Sequence, residues 1–330
     1  MASASLDVVG IGNAIVDVIA HCEDRFLEKN GLQKGAMTLV DAKAALALYE
    51  KMGPGIEVSG GSAANTMAGI ASLGGRAAYI GKVRNDDLGH VFRHDIRAAG
   101  VGFDVAPAEA GPPTARCLVL VTPDAQRTMQ TFLGVSAELA PADLDLGLLT
   151  SAKITYLEGY LFDPPAAKEA FRTAARAARD VGRQVALTLS DPFCVARHRK
   201  DFLDLIAGPV DILFANEAEI LSLYEVDRFD DALQAVRGHC EIAALTRSAK
   251  GAVIVAGEEM HVADAEPVPQ VVDTTGAGDL FAAGFLHGLA RGEPLARAAR
   301  IGAIAAAEVI GHLGARPAQA LDALVRSRLG

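Results

Sequence analysis

The sequence predicts an α/β fold: a three-layer α/β/α sandwich with a mainly parallel sheet, plus a small β-sheet lid. Three observations predict it. Short, nearly continuous apolar runs recur along the 330 residues, as in strands covered on both faces. Ala-rich stretches with helical start and stop signals separate those runs. Two segments break the rhythm with strand-like runs of their own.

Taken in order, the strand candidates are "DVVGIG" (7–12), "AAYIGKV" (77–83), "ITYLEGY" (154–160), "QVALTLS" (184–190), "DILFAN" (211–216) and "AALTRSAKGAVIVA" (243–256). The helix candidates between them are "SAANTMAGIASLGG" (62–75), "DLGHVFRHDIRAAG" (87–100), "PPAAKEAFRTAARAARDVG" (164–182) and "DDALQAVRGH" (230–239). The third opens on proline and closes on glycine, the residues suited to a helix start and stop. This alternation is the pattern of a doubly wound sandwich. Residues 14–42 carry strand-like ends around a short helix. Residues 113–133 read as two strands joined by a turn at Pro123-Asp124. A hairpin inside an α/β chain is expected to stand outside the main sheet, so the two segments are read together as a lid. The expected division of a single unit over 1–330 is a large part of about 1–13, 43–112 and 134–330, and a lid of about 14–42 and 113–133.

Composition narrows the function classes. The net charge is −10 and 51% of residues are apolar. Such an acidic balance does not suit a sequence-independent nucleic-acid binder, which needs a basic face. Cys22, Cys117, Cys194 and Cys240 are scattered and form no C-x-x-C pair, which argues against a zinc or redox site and fits a reducing cytosol. The start "MASASLDVVGIG" has no basic region followed by an apolar run, and no run reaches the ~20 apolar residues of a membrane span. A cytoplasmic protein without membrane or nucleic-acid partners is expected.

Several phosphate and nucleophile motifs fail on spacing. "GIGNAI" (10–15) lacks the third glycine of a dinucleotide fingerprint, which would stand at Ile15. "GRAAYIGKV" (75–83) has one residue too many for a P-loop, and Val83 stands where Ser or Thr is needed. "GGSAA" (60–64) ends in Ala64 where a nucleophile elbow has glycine.

"DTTGAGDLFAAGF" (273–285) holds up better. Gly276, Ala277 and Gly278 precede a helix expected from about Asp279, and N–H groups at a helix start favour an anion. Asp279 beside them is expected to be held ionised. It reads either as a helix cap or as a base that accepts a hydroxyl proton while the amides hold charge on a transferring group. Its company favours the base. "SGGSAANTMAGIASLGG" (59–75) is a second Gly-rich loop feeding a helix. Asn13 and Asp17 follow the first strand, Asn216 and Glu219 lie at another strand end, and "LTRSAKGA" (245–252) ends a third. Ligands bind at such strand ends in open α/β sheets.

Together these elements resemble the ribokinase-like, or PfkB-type, family of carbohydrate and nucleoside kinases, over essentially the whole chain from "VVGIGN" to "GARP". The resemblance implies a ribokinase-like fold and an ATP-dependent kinase. In it Asp279 deprotonates the substrate hydroxyl, and Gly276, Ala277 and Gly278 form the anion hole. Asn216 and Glu219 organise Mg2+ and phosphates, and Thr246 and Gly251 lie in the nucleotide-contacting segment, where Ser248 replaces a glycine common at that turn. The segment "IGHLGARP" (310–317) is expected at the edge of the adenine pocket. Many members bind a monovalent cation, which would place K+ near Asp273 and Thr275.

Asn13, Asp17, Gly61, Ser62 and Asn65 supply donors and acceptors for sugar hydroxyls. "GNAIVDVIAHCEDRFLEKNGLQKGAMTLVD" and "LSDPFCVARHRKDFLDLI" resemble the adenosine kinase branch, with Phe193 for base stacking, and Arg127 is a lid contact to substrate or phosphate. Core packing is the other reading of Phe193, and a solvated hairpin charge the other reading of Arg127. The expected reaction is transfer of the γ-phosphate to the 5′-hydroxyl of adenosine. A sugar kinase acting on ribose, fructose or a keto-sugar acid is the alternative. Inosine or guanosine as substrate and a non-catalytic nucleoside-binding protein rank lower. A monomer or homodimer is expected.

Overall fold

A computed structural model describes residues 4–124 and 126–330. Among the described residues, thirteen strands form two sheets. They are β1 (Leu6–Ile11), β2 (Ile15–His21), β3 (Met37–Leu39), β4 (Ile56–Gly60), β5 (Ala77–Ile80), β6 (Ala115–Val121), β7 (Arg127–Phe132), β8 (Ala152–Glu158), β9 (Gln184–Thr188), β10 (Ile212–Asn216), β11 (Ile242–Thr246), β12 (Ala252–Ala256) and β13 (Glu259–Ala263). The large sheet has the order β13-β12-β11-β10-β9-β8-β1-β5, parallel from β11 to β5. Its far edge turns antiparallel at β12 and β13.

Alternation along these strands builds two cores. Val8, Ile154, Tyr156, Ile212 and Phe214 face one side, packed with the helices Ser62–Ser72, Asp87–Ala98, Ala277–Ala290 and Leu295–Val309. Val9, Ile11, Leu157, Leu187 and Leu213 face the other, against Pro165–Asp180, Pro192–Ile206, Glu217–Tyr224 and Phe229–Val236. A strand sends successive side chains to opposite faces, so burial on both faces requires an unbroken apolar run. That is why these strands were legible in the sequence.

The small sheet has the order β3-β7-β6-β2-β4. Val18, Leu118 and Leu120 form its outer core with Leu27 and Leu48 from the helices Asp24–Lys29 and Ala42–Tyr49. Ile15, Ile19, Cys117, Val119 and Met129 gather on the opposite face. Two expectations need adjustment. Residues 243–256 make an antiparallel hairpin of two strands, with the turn at Ser248–Lys250. Residues 43–49 and 56–60, assigned to the large part on sequence, go with the small sheet: the helix Ala42–Tyr49 packs on it through Leu48, and Ile56–Gly60 pairs with β2. Strand β4 is only five residues long and reads "IEVSG", too short and too polar to betray which sheet it joins.

Candidate active site

The carboxyl ends of β1, β8, β9, β10 and β11 open into a cleft of about 610 Å³ that the small sheet overhangs. This is the size and place expected of a ligand site in an open α/β sheet. From the sequence-derived candidates it gathers Asn13, Asp17, Gly61, Ser62, Asn65, Arg127 and Phe193. Asn216, Glu219, Thr246, Thr275, Gly276, Gly278 and Asp279 line it as well. Gly251, Asp273 and Ala277 are not among the lining residues. Gly251 closes the β11–β12 turn at φ +78°, its N–H donating to Ser248 O at 3.0 Å. Ser248 itself stands at φ +51°, the left-handed region that explains why glycine is common there.

Asp279 lies in the first turn of the helix Ala277–Ala290, whose cap residue is Gly276 at φ +80°. Its carboxylate does not cap that helix. It accepts from Ser62 Oγ at 2.6 Å and from Asn65 Nδ2 at 3.0 Å, both on the helix Ser62–Ser72. Gly61 makes this placement feasible: its φ is +96°, and a Cβ there would lie 2.3 Å from Asn13 O. Ser62 and Asn65, 217 and 214 residues away in sequence, thus bring the first Gly-rich loop onto the carboxylate that the second one carries.

The expectation that neighbouring amides hold Asp279 ionised meets an opposing effect of burial. Burial raises its pKa, and the Ser62 and Asn65 hydrogen bonds and the Arg316 charge only partly offset that. Desolvation disfavours a charge more than a helix end of ~0.5 elementary charge favours it. A raised carboxylate is the better proton acceptor, because basicity grows with pKa.

Ala277 N–H donates to Thr274 O at 3.3 Å. The N–H groups of Gly278 and Asp279, in the first turn, lack intrahelical acceptors by position, whereas Leu280 N already donates to Gly276 O at 2.8 Å. Asn216 and Glu219 form a reciprocal cap of the helix Glu217–Tyr224: Glu219 N donates to Asn216 Oδ1, and Asn216 N to Glu219 Oε2, both at 2.9 Å. Burial raises Glu219 to about 7 and Asp17 to about 6.

Two site residues escaped the sequence reading. Glu158 ends β8 and accepts from Asn13 N (3.1 Å), Asn13 Nδ2 (3.0 Å) and Ala63 N (2.8 Å). Burial takes it to about 7 despite those bonds. A carboxylate closing an otherwise apolar strand was the available signal. Arg316 donates to Asn65 Oδ1 at 2.9 Å and to Ser59 O and Oγ at 3.0 and 2.9 Å. The late segment expected at the adenine pocket therefore sends its arginine toward the carboxylates of the cleft.

Phe193 is corrected away from core packing: it is 78% exposed and lines the cleft. Arg127 is not a solvated charge. Its side chain is 9% exposed and reaches from β7 to the 273–275 loop.

With this geometry in view, comparison with known proteins gives a family. Residues 56–321 match the pfkB family carbohydrate kinase profile. The chain belongs to the pfkB family. It is therefore a kinase, a phosphotransferase with an alcohol group as acceptor, and the family uses ATP. It is similar to the structure of adenosine kinase from Sinorhizobium meliloti, with 53% identity, TM-score 0.92, and coverage of 98% of this chain and all of that one. The structure of a probable sugar kinase protein from Rhizobium etli CFN 42 is 50% identical, with TM-score 0.93 and coverage of 98% and 99%. Adenosine kinase of Saccharomyces cerevisiae is 27% identical over 93% of this chain and 95% of its own. The three-layer fold with a second, smaller sheet is that of these structures. Among the described residues no helix is long and apolar enough to cross a membrane.

Proposed function

We propose that this kinase transfers the γ-phosphate of ATP to the 5′-hydroxyl of adenosine. The observation that carries the reading is the pairing within one cleft of half-buried Asp279 with an exposed aromatic ring, Phe193, beneath an apolar sheet face. A nucleoside offers both complements, a hydroxyl for the carboxylate and a flat base for the ring. The names of two relatives, from Sinorhizobium meliloti and Saccharomyces cerevisiae, support it.

In this reading Asp17 and Asn13 bind the ribose hydroxyls, with Gly61, Ser62 and Asn65 around them. Asp279 takes the proton as the hydroxyl attacks phosphorus in line, and the 276–278 loop holds the phosphoryl charge. Asn216, Glu219, Thr246 and Gly251 serve the nucleotide side. The cleft suits Mg2+ arriving with ATP: Glu219 and Asp279 are hard oxygen donors, and among the described residues no group of three or more ligating side chains forms a protein cage. Bound there with the nucleotide, Mg2+ would supply charge neutralisation at the phosphates. Segments 14–42 and 113–133, together with the helix Ala42–Tyr49 and β4, act as a lid that excludes water. A cytoplasmic monomer or homodimer completes the reading.

The alternative acceptor is a free sugar, favoured by the name of the Rhizobium etli relative. ADP formation measured with adenosine, inosine, guanosine, ribose and fructose separates the two. Adenosine is expected to give the highest kcat/KM, and faster turnover of a free sugar would replace the proposal. In the same assay Phe193→Ala is expected to raise KM for adenosine about 5- to 150-fold, the range of a lost base stack, and to leave KM for a sugar nearly unchanged. Equal losses on both acceptors would remove the stacking role.

A further inference from the structure

The cation expected beside Asp273 and Thr275 does not fit the residues that surround them. Asp273 is 4% exposed on its side chain, and each of its oxygens is already engaged. Oδ1 accepts from Thr275 N at 3.0 Å, and Oδ2 accepts from Gly314 N at 2.9 Å. Oδ2 also forms an ion pair with Arg127 Nη2. The other terminal nitrogen of the same guanidinium, Nη1, donates to Thr275 Oγ1 at 3.0 Å. The carboxylate thus faces two backbone donors and a full positive charge. An alkali cation placed there would meet repulsion from Arg127 in a poorly hydrated setting, where screening is weak.

The origin of Arg127 gives this contact its meaning. It opens β7 of the small sheet, whereas Asp273 and Thr275 belong to the loop that becomes Gly276 and the helix of Asp279. One guanidinium thus ties a carboxylate and a hydroxyl on the same loop, by an ion pair through Nη2 and a hydrogen bond through Nη1, on a planar frame that holds the two nitrogens at a fixed separation. Gly276, the next residue, is fixed against Ala315 so closely that a Cβ would lie 2.8 Å from its Cα. The loop is therefore held on one side by packing against Ala315 and on the other by Arg127.

We propose that Arg127 is a positioning residue that replaces the alkali cation: it neutralises Asp273 and fixes the 273–276 loop only when the small sheet is seated over the cleft. Phosphate-site assembly is thereby coupled to lid closure, and turnover is independent of K+. The proposal rests on the phosphotransfer reading of the cleft but not on the acceptor being adenosine.

The test compares initial rates in KCl, NaCl and choline chloride at constant ionic strength, using whichever acceptor supports turnover. The wild-type rate is expected to change by less than about twofold, a residue of surface screening. Arg127→Ala is expected to lose about 10²-fold in kcat by misplacing the loop, and to regain activity with added guanidinium ion or K+. Arg127→Lys should fall between the two, since it restores charge without the fork. A wild-type enzyme that needs K+ overturns the proposal, as does an Arg127→Ala enzyme with unchanged kcat or one that neither ion rescues. Melting curves give a readout that needs no acceptor. A ligand that binds only the folded state raises Tm, so exchanging choline for K+ should leave the wild-type Tm in place and raise that of Arg127→Ala. A K+-dependent rise in the wild type refutes the proposal even if no acceptor has been found.

Discussion

Asp279→Asn is expected to lower kcat by ~10²–10⁴, the usual contribution of a general base, with little change in the affinity for MgATP. Asparagine has nearly the same shape and can still accept from Ser62 Oγ, so the helix start and the loop keep their geometry. The Asn65 amide, which donates to the other carboxylate oxygen at 3.0 Å, loses that acceptor, a secondary cost of about 1–3 kcal/mol in stability. A base must be deprotonated to act, so the rate falls as pH falls through its pKa. Burial raises that pKa, and the acid limb of kcat is therefore expected above the ordinary carboxylate value of about 3.9. Asp17, Glu158 and Glu219 titrate nearby at about 6, 7 and 7. The charge of Asp279 contributes to the upward shift of each of them. Turnover of the Asp279→Asn enzyme within about threefold of wild type would return Asp279 to a structural role.

The sequence disclosed the parts whose physics is local. Buried parallel strands must be apolar along their whole length, so β1, β8, β9 and β10 stood out. Glycine before a helix marks a tight approach, so the 59–75 and 273–285 loops stood out too. What it could not disclose depended on distant partners. Strand β4 is defined by pairing with β2, about 40 residues away, and nothing in "IEVSG" specifies that partner. Glu158 has to be a carboxylate only because Asn13 and Ala63 present three donors to it. The upward shift of Asp279 was hidden for a related reason. A helix start can be read from neighbours in sequence, but desolvation is set by everything that closes around the group. Arg127 shows the same limit, because the hairpin predicted its position on a strand and not the loop it reaches.

Arg316 is where these nonlocal effects are largest. Its guanidinium lies close enough to Asp17 and Asp279 to lower both pKa values against the desolvation that raises them. Burial among polar acceptors lowers its own pKa, yet a guanidinium stays charged throughout the working range. Arg316→Met keeps the approximate volume and removes the charge and the three donated bonds to Asn65 and Ser59. The freed Ser59 O and Asn65 Oδ1 lose their donor, and folding is expected to weaken by roughly 3 kcal/mol, measured by urea unfolding. The sign of the catalytic effect follows from the charge. Without a nearby cation the carboxylate form becomes less favourable, so the pKa values of Asp17 and Asp279 rise further. The acid limb of kcat/KM then moves to higher pH, and more of the enzyme is protonated and inactive near neutrality. A loss of packing alone would lower the plateau and leave the limb in place. The pH profile of folded Arg316→Met therefore distinguishes the two roles: an upward displacement assigns Arg316 to tuning the base, and an unmoved limb confines it to holding Asn65 and Ser59.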